Sequence, residues 1–331
     1  MELLPDFGVL RAVIARFAAL TSERGDELGE RPLVLPTGRY FPDEFSSDSK
    51  GATRVLRRAQ EHAGLTDVPI RLAVFDAEEA ASGGSCSSGG CGTSCATPTT
   101  GELTRVAPDG DGWLITLAAG ELSHPIQLTS AIAVALGAIF LLETAEEDEP
   151  APALDAASEL SAVGLGFGVL LLEASYIYSK SCGGPRVTQL TRLSCGELAV
   201  ATALFADLQG HRLRAALGEL STTQRATLKQ ASELLTSNPR VTELLRSAPE
   251  ALVRGDFQLE DARPWLARVL ARRRHSEPET LEEMEALVMA AGPRGSARAA
   301  STAVSTKKQT ARRAPPDDLR ALVEEALREE A

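Results

Sequence analysis

The 331 residues carry 44% hydrophobic side chains, enough to bury a sizeable core in one large domain or two modest ones. A net charge of −12 repels a phosphate backbone and argues against general nucleic-acid binding. Aromatic residues are only 4%, so core packing must come from aliphatic side chains on helices, and helix should exceed strand.

The first segment, MELLPDFGVLRAVIARFAAL, has no basic leader and no small-residue cleavage site, and arginines interrupt its apolar pattern. It does not read as a signal peptide, and the expected compartment is the cytoplasm. Phe7, Leu10, Val13, Ile14, Phe17 and Leu20 recur at helical spacing, which predicts a one-faced helix within residues 1–30. The stretch PLVLPTGRYFPDEF contains Pro32, Pro36 and Pro42 and permits only an edge strand or an extended loop. A helix from about Ala52 to Ala63 should stop at Gly64.

The pattern then turns to strand, with IRLAVFD, LTRVA and WLITL. The turn residues PDGDG join the last two as a hairpin, and a small antiparallel sheet is expected. Residues 82–101 interrupt these strands with a Gly/Ser/Thr-rich loop that has no apolar content to order it. It holds Cys86, Cys91 and Cys95 in CxxxxCxxxC spacing, unlike the paired CxxC knuckles of zinc ribbons. With Cys182 or Cys195 as a fourth ligand the loop would enclose zinc or iron, or form a redox bridge; the alternative is a set of reduced thiols.

From Pro125 onward the chain reads as helical. Ile126 to Leu142 and Leu160 to Tyr178 are strongly apolar and joined by an acidic loop, the outline of a membrane hairpin. Gln127, Thr129, Ser130 and Glu173 lie within them, and no basic bias flanks them, so buried core helices are expected and no membrane partner. Gly164, Gly166 and Gly168 fit close helix packing rather than a dinucleotide fingerprint, which needs a surrounding βαβ unit. Cys182, Gly183 and Gly184 read as a turn ending a helix.

Ser194 and Glu197 form a capping box ahead of LAVATALFADL, and Gly210 ends that helix. Across 211–292, further helices are expected near 223–235, 239–246, 259–273 and 278–290. Residues 293–316 have no core-forming pattern and carry Arg294, Arg298, Lys307, Lys308, Arg312 and Arg313, as a disordered basic linker would. Over 317–331, Asp317 caps a last helix with Leu319, Leu322, Val323 and Leu327 on one face. That stripe must dock either into a protein partner's groove or onto its own domain.

Four strings, LPTGRYFPDEF, WLITLAAGELSHPIQL, LGFGVLLLEASYIYSKSCGG and CGELAVATALFADLQG, together resemble a family of bacterial proteins with a zinc-metallopeptidase-like core. The resemblance spans about 32–210 and implies a strand leading into a helix that bears HExxH, followed by a helix with an acidic ligand. It places Val134, Ala135, Leu136, Gly137 and Ala138 where the HExxH pentapeptide would stand, Ala156 near the acidic ligand and Glu159 near a second acidic position. His62, His124, His211 and His275 are isolated in sequence, so the resemblance implies a degenerate member without the catalytic set.

The expected fold class is α+β: a small sheet packed on a mainly helical core (residues 31–210), with a helical C-terminal half. The leading functional expectation is a non-catalytic interaction or regulatory protein without a cofactor. An enzyme or metal/redox module built on the cysteine loop is the alternative, and a membrane hairpin protein the third.

Overall fold

The computed structural model describes residues 3–75, 105–145, 154–181 and 184–262. By its internal contacts the chain divides after Ala271, so all described residues belong to the first unit. The cysteine loop, most of the helix expected at 259–273, the helix at 278–290, the basic linker and the segment with Leu319, Leu322, Val323 and Leu327 lie outside the described residues.

The apolar periodicity near the N-terminus folds as α1 (Phe7–Leu28), longer than its stripe predicts. The Asp6 carboxylate starts it by accepting the Gly8 and Val9 N–H groups at 2.9 and 3.1 Å. Leu10, Val13, Ile14, Phe17 and Leu20 are buried, while Phe7 is exposed. Helix α2 (Ser49–Ala63) is capped by Asp48, which accepts the Gly51 N–H at 2.7 Å. It stops at Gly64, where φ is 66°.

Strands β1 (Ile70–Phe75), β2 (Val106–Asp109) and β3 (Gly112–Ala118) form a sheet in the order β1-β3-β2. The β2–β3 hairpin is the expected one, turning through Gly110 at φ 62°. The sheet is mixed rather than antiparallel, because β1 runs parallel to β3 with Ile70 opposite Trp113. A tight turn forces antiparallel pairing only between the strands it joins. The long connection after β1 carries no such constraint, so β1 settles on the free edge of β3.

Helix α4 (Pro125–Glu143), preceded by the short α3 (Ala119–Leu122), crosses the centre of the core. The second apolar stretch is composite: α5 (Leu154–Ala162), a π-helical turn at Val163–Phe167, and α6 (Gly168–Ser175). Both stretches are long and apolar enough to cross a membrane, with mean hydropathy 2.0 and 1.4, yet 67% and 83% of their residues are buried within the fold. The glycines explain how they pack so closely. Gly166 sits at φ 96° and its carbonyl accepts the Val34 N–H at 2.9 Å, so the 33–35 segment lies in the helix break. A Cβ at Gly164 would press on Leu28 and Leu20, and one at Gly168 would overlap Thr202.

The reading of everything after Pro125 as helical fails at one place. Ile177–Ser181 and Gly184–Thr188 are strands β4 and β5, an antiparallel ribbon of their own. The alternating β-branched and aromatic side chains of Ile177 and Tyr178, followed by a Cys-Gly-Gly connection, favour a hairpin over a helix end.

Helix α7 (Cys195–Leu208) begins at the capping box, with the Ser194 N–H donating to the Glu197 carboxylate at 2.8 Å, and is followed by Gly210 at φ 70°. Then come α8 (Arg214–Glu219), α9 (Thr222–Ser237), α10 (Pro239–Ser247) and α11 (Pro249–Val253). Helix α9 packs on α7 and α11 on α1. The fold is α+β, helices dominating.

Candidate functional site

The residues at the peptidase-like position lie where α4 meets α5. Ala135, Leu136, Gly137 and Ala138 are buried, Val134 and Ala156 partly so. Gly137 makes the contact: a Cβ there would overlap the Ser158 carbonyl oxygen and stand 2.7 Å from the Ala162 nitrogen. The two helices therefore touch backbone to backbone. A zinc centre needs three side-chain ligands around an open volume, whereas Val134, Ala135, Ala138 and Ala156 offer no coordinating atom and the volume between the helices is filled. These residues do not fit a zinc ion.

Two of the histidines serve elsewhere, and His275 lies outside the described residues. His62 Nε2 hydrogen-bonds the Tyr40 carbonyl at 2.9 Å, and His211 Nε2 donates to the Arg31 carbonyl at 2.7 Å. Among the described residues, no group of three His, Cys, Asp or Glu side chains is placed to hold a metal.

Glu159 is the one carboxylate at that position, and only 3% of its surface is exposed. Its two oxygens accept consecutive backbone N–H groups, from Arg192 at 2.6 Å and Leu193 at 2.8 Å. Burial pushes its pKa up to about 7; the two N–H groups and the charge of Arg192 pull against that, and Glu197 adds to it. The loop held this way is wired throughout. The Leu190 N–H donates to Ala174 at 3.0 Å, Gln189 Nε2 donates to Thr191 and Leu193 at 2.8 and 3.1 Å, and the Thr191 hydroxyl donates to Leu193 at 2.8 Å. Glu159 thus fastens the base from which the β4–β5 ribbon rises to the start of α7.

The ribbon carries apolar side chains that are exposed. Tyr178 and Val187 are opposite one another in its register and are 54% and 49% exposed, and Leu190 at its base is 40% exposed. Three exposed apolar side chains therefore lie on this short ribbon and its base. Sequence reasoning missed this element because its apolar residues merged with the preceding helix pattern. The Cys-Gly-Gly connection was the available signal.

Of the thiols, Cys86, Cys91, Cys95 and Cys182 lie outside the described residues, and Cys195 is a partly buried free thiol at the first turn of α7. A cleft of about 770 Å³ opens between the C-terminal ends of α1 and α7 and the start of α11. Several of its polar side chains hold its walls: Gln209 Nε2 donates to the Gly29 carbonyl at 2.9 Å, His211 to the Arg31 carbonyl, and Arg246 pairs with Asp207 at 2.9 Å, while the buried Arg31 Nε has no partner among the described residues. Arg31 donates to the Glu27 carbonyl at 3.1 Å, and burial lowers its pKa.

Comparison with models of known protein families, with curated proteins and with solved structures gives no match. The residues alone carry the functional reading.

Proposed function

We propose that the protein is a non-catalytic, degenerate relative of the metallopeptidase-like family, and that it acts in the cytoplasm as an interaction or regulatory protein through its β4–β5 ribbon. The observation that carries this reading is the backbone contact of α4 and α5 at Gly137, at the position where the resemblance would put a metal centre. Aliphatic packing there leaves neither ligands nor room for a metal-bound water. The exposed Tyr178–Val187 pair supports the binding half of the reading.

The test is elemental analysis and hydrolysis of denatured casein, on the wild type and on a variant with all five cysteines replaced by serine. The expected result for the variant is less than about one tenth of an equivalent of zinc or iron and no cleavage above a buffer blank. One equivalent of zinc in the variant, or zinc-dependent cleavage, would overturn the reading. Metal held by the wild type and lost in the variant would instead favour the metal or redox module at Cys86, Cys91 and Cys95.

A further inference from the structure

The loop that joins β5 to α7 offers three consecutive backbone N–H groups to carboxylates. Arg192 and Leu193 donate to Glu159 of α5 at 2.6 and 2.8 Å, and Ser194 donates to Glu197 at 2.8 Å. The Ser194 bond stays within the start of α7, whereas the Glu159 bonds cross to another element. With the Leu190 N–H on the Ala174 carbonyl, they tie the loop to α5 and α6. Glu159 is 3% exposed, and no ion pair forms with it among the described residues. An ionised carboxylate in that place has exchanged water for two N–H donors without a countercharge, which disfavours the ionised form.

The surrounding charged groups are few. Arg192 favours ionisation of Glu159, and Glu197 at the start of α7 opposes it. The α4 stretch from Leu128 to Leu142 has no ionisable side chain, nor does the π-helical turn at Val163–Phe167. Glu173 of α6 is committed to the Ser221 N–H and hydroxyl, and Arg24 of α1 donates to the Thr144 carbonyl. Asp155, one turn earlier on α5, is a further acid.

We propose that Glu159 is a proton-linked latch: protonated, it holds the base of the β4–β5 ribbon against α5, and on losing its proton it lets that loop open locally while the core stays folded. The neutral carboxyl keeps an acceptor lone pair for each N–H, whereas the ionised one gains from opening because water solvates its charge. With the loop closed, burial holds the carboxyl at about 7; in an open loop it returns to the ordinary 4.5. Between those values opening releases a proton, so opening becomes more frequent as pH rises through them and levels off above. The latch acts on the attachment of the ribbon, whatever the ribbon binds, and is independent of the function proposed above.

The test is amide hydrogen exchange of the full chain at about pH 5.5 and about pH 8, each rate divided by that of an unstructured peptide at the same pH, on the wild type and on Glu159→Gln. Protection of the amides of Leu190 to Leu193 should fall at least about tenfold from the lower pH to the higher in the wild type. In the Gln variant, whose side chain cannot ionise, it should change by less than about threefold. At both pH values these amides should exchange faster than those of α4 around Gly137, the mark of a local opening. A carbon-13 titration of the wild type checks the link without any substitution: the Arg192 and Leu193 amide proton shifts should move with the same midpoint as the Glu159 carboxyl carbon. Equal protection at the two pH values in the wild type, or the same fall in the Gln variant, would overturn the proposal. So would loop amides as protected as those of α4, or Arg192 and Leu193 shifts that do not follow the Glu159 titration.

Discussion

The α4–α5 contact and the β4–β5 ribbon sit at opposite extremes of the same fold. At Gly137 two helices meet backbone to backbone, against Ser158 and Ala162 of the facing helix. On the ribbon, Tyr178 and Val187 are about half exposed on a sheet of two strands. Helix α5 serves both, since its Ser158 and Ala162 face Gly137 while its Glu159 fastens the ribbon's base. Val134 to Ala138 therefore build the scaffold, while the exposed Tyr178 and Val187 lie on a separate element fastened to it through Glu159.

The largest expected effect breaks the scaffold side of this comparison. In Gly137→Leu the new Cβ meets backbone atoms that cannot rotate aside, so the helix pair must separate, at a cost of about 3 kcal/mol or more in chemical denaturation. Val187→Ser, by contrast, should change stability by no more than about 0.5 kcal/mol. Similar losses for the two would erase the distinction between filled core and open surface.

A smaller effect sharpens the link between the regions. Burial raises Glu159 from an ordinary 4.5 to about 7 in the folded chain. Between those values the folded protein holds a proton that the unfolded chain has released, so stability falls as pH rises through that window and levels off above it. The full swing from this group is about 3 kcal/mol. Glu159→Gln should flatten the slope of stability between about pH 5 and 7.5. An unchanged slope in that variant would mean that Glu159 does not titrate there.

Much of the scaffold was legible because its signals are local. Gly64 stops α2, and Ser194 with Glu197 opens α7, each within a few residues of its partner. The β2–β3 hairpin was readable for the same reason. The parallel placement of β1 was not, because it depends on a distant strand rather than on a turn. Glu159 was marked by family resemblance, yet its partners at Arg192 and Leu193 lie far along the chain and are backbone groups, which no residue pattern encodes. The ribbon was hidden because Ile177 and Tyr178 continue the apolar run of α6, and only the geometry separates helix from strand there.

Amide hydrogen exchange of the full chain bears most directly on the division between filled core and exposed ribbon. Amides of α4 and α5 around Gly137 should exchange only through global unfolding, whereas those of β4 and β5 should exchange orders of magnitude faster. Fast exchange across Gly137 and Ser158, or a ribbon as protected as the core, would contradict the account.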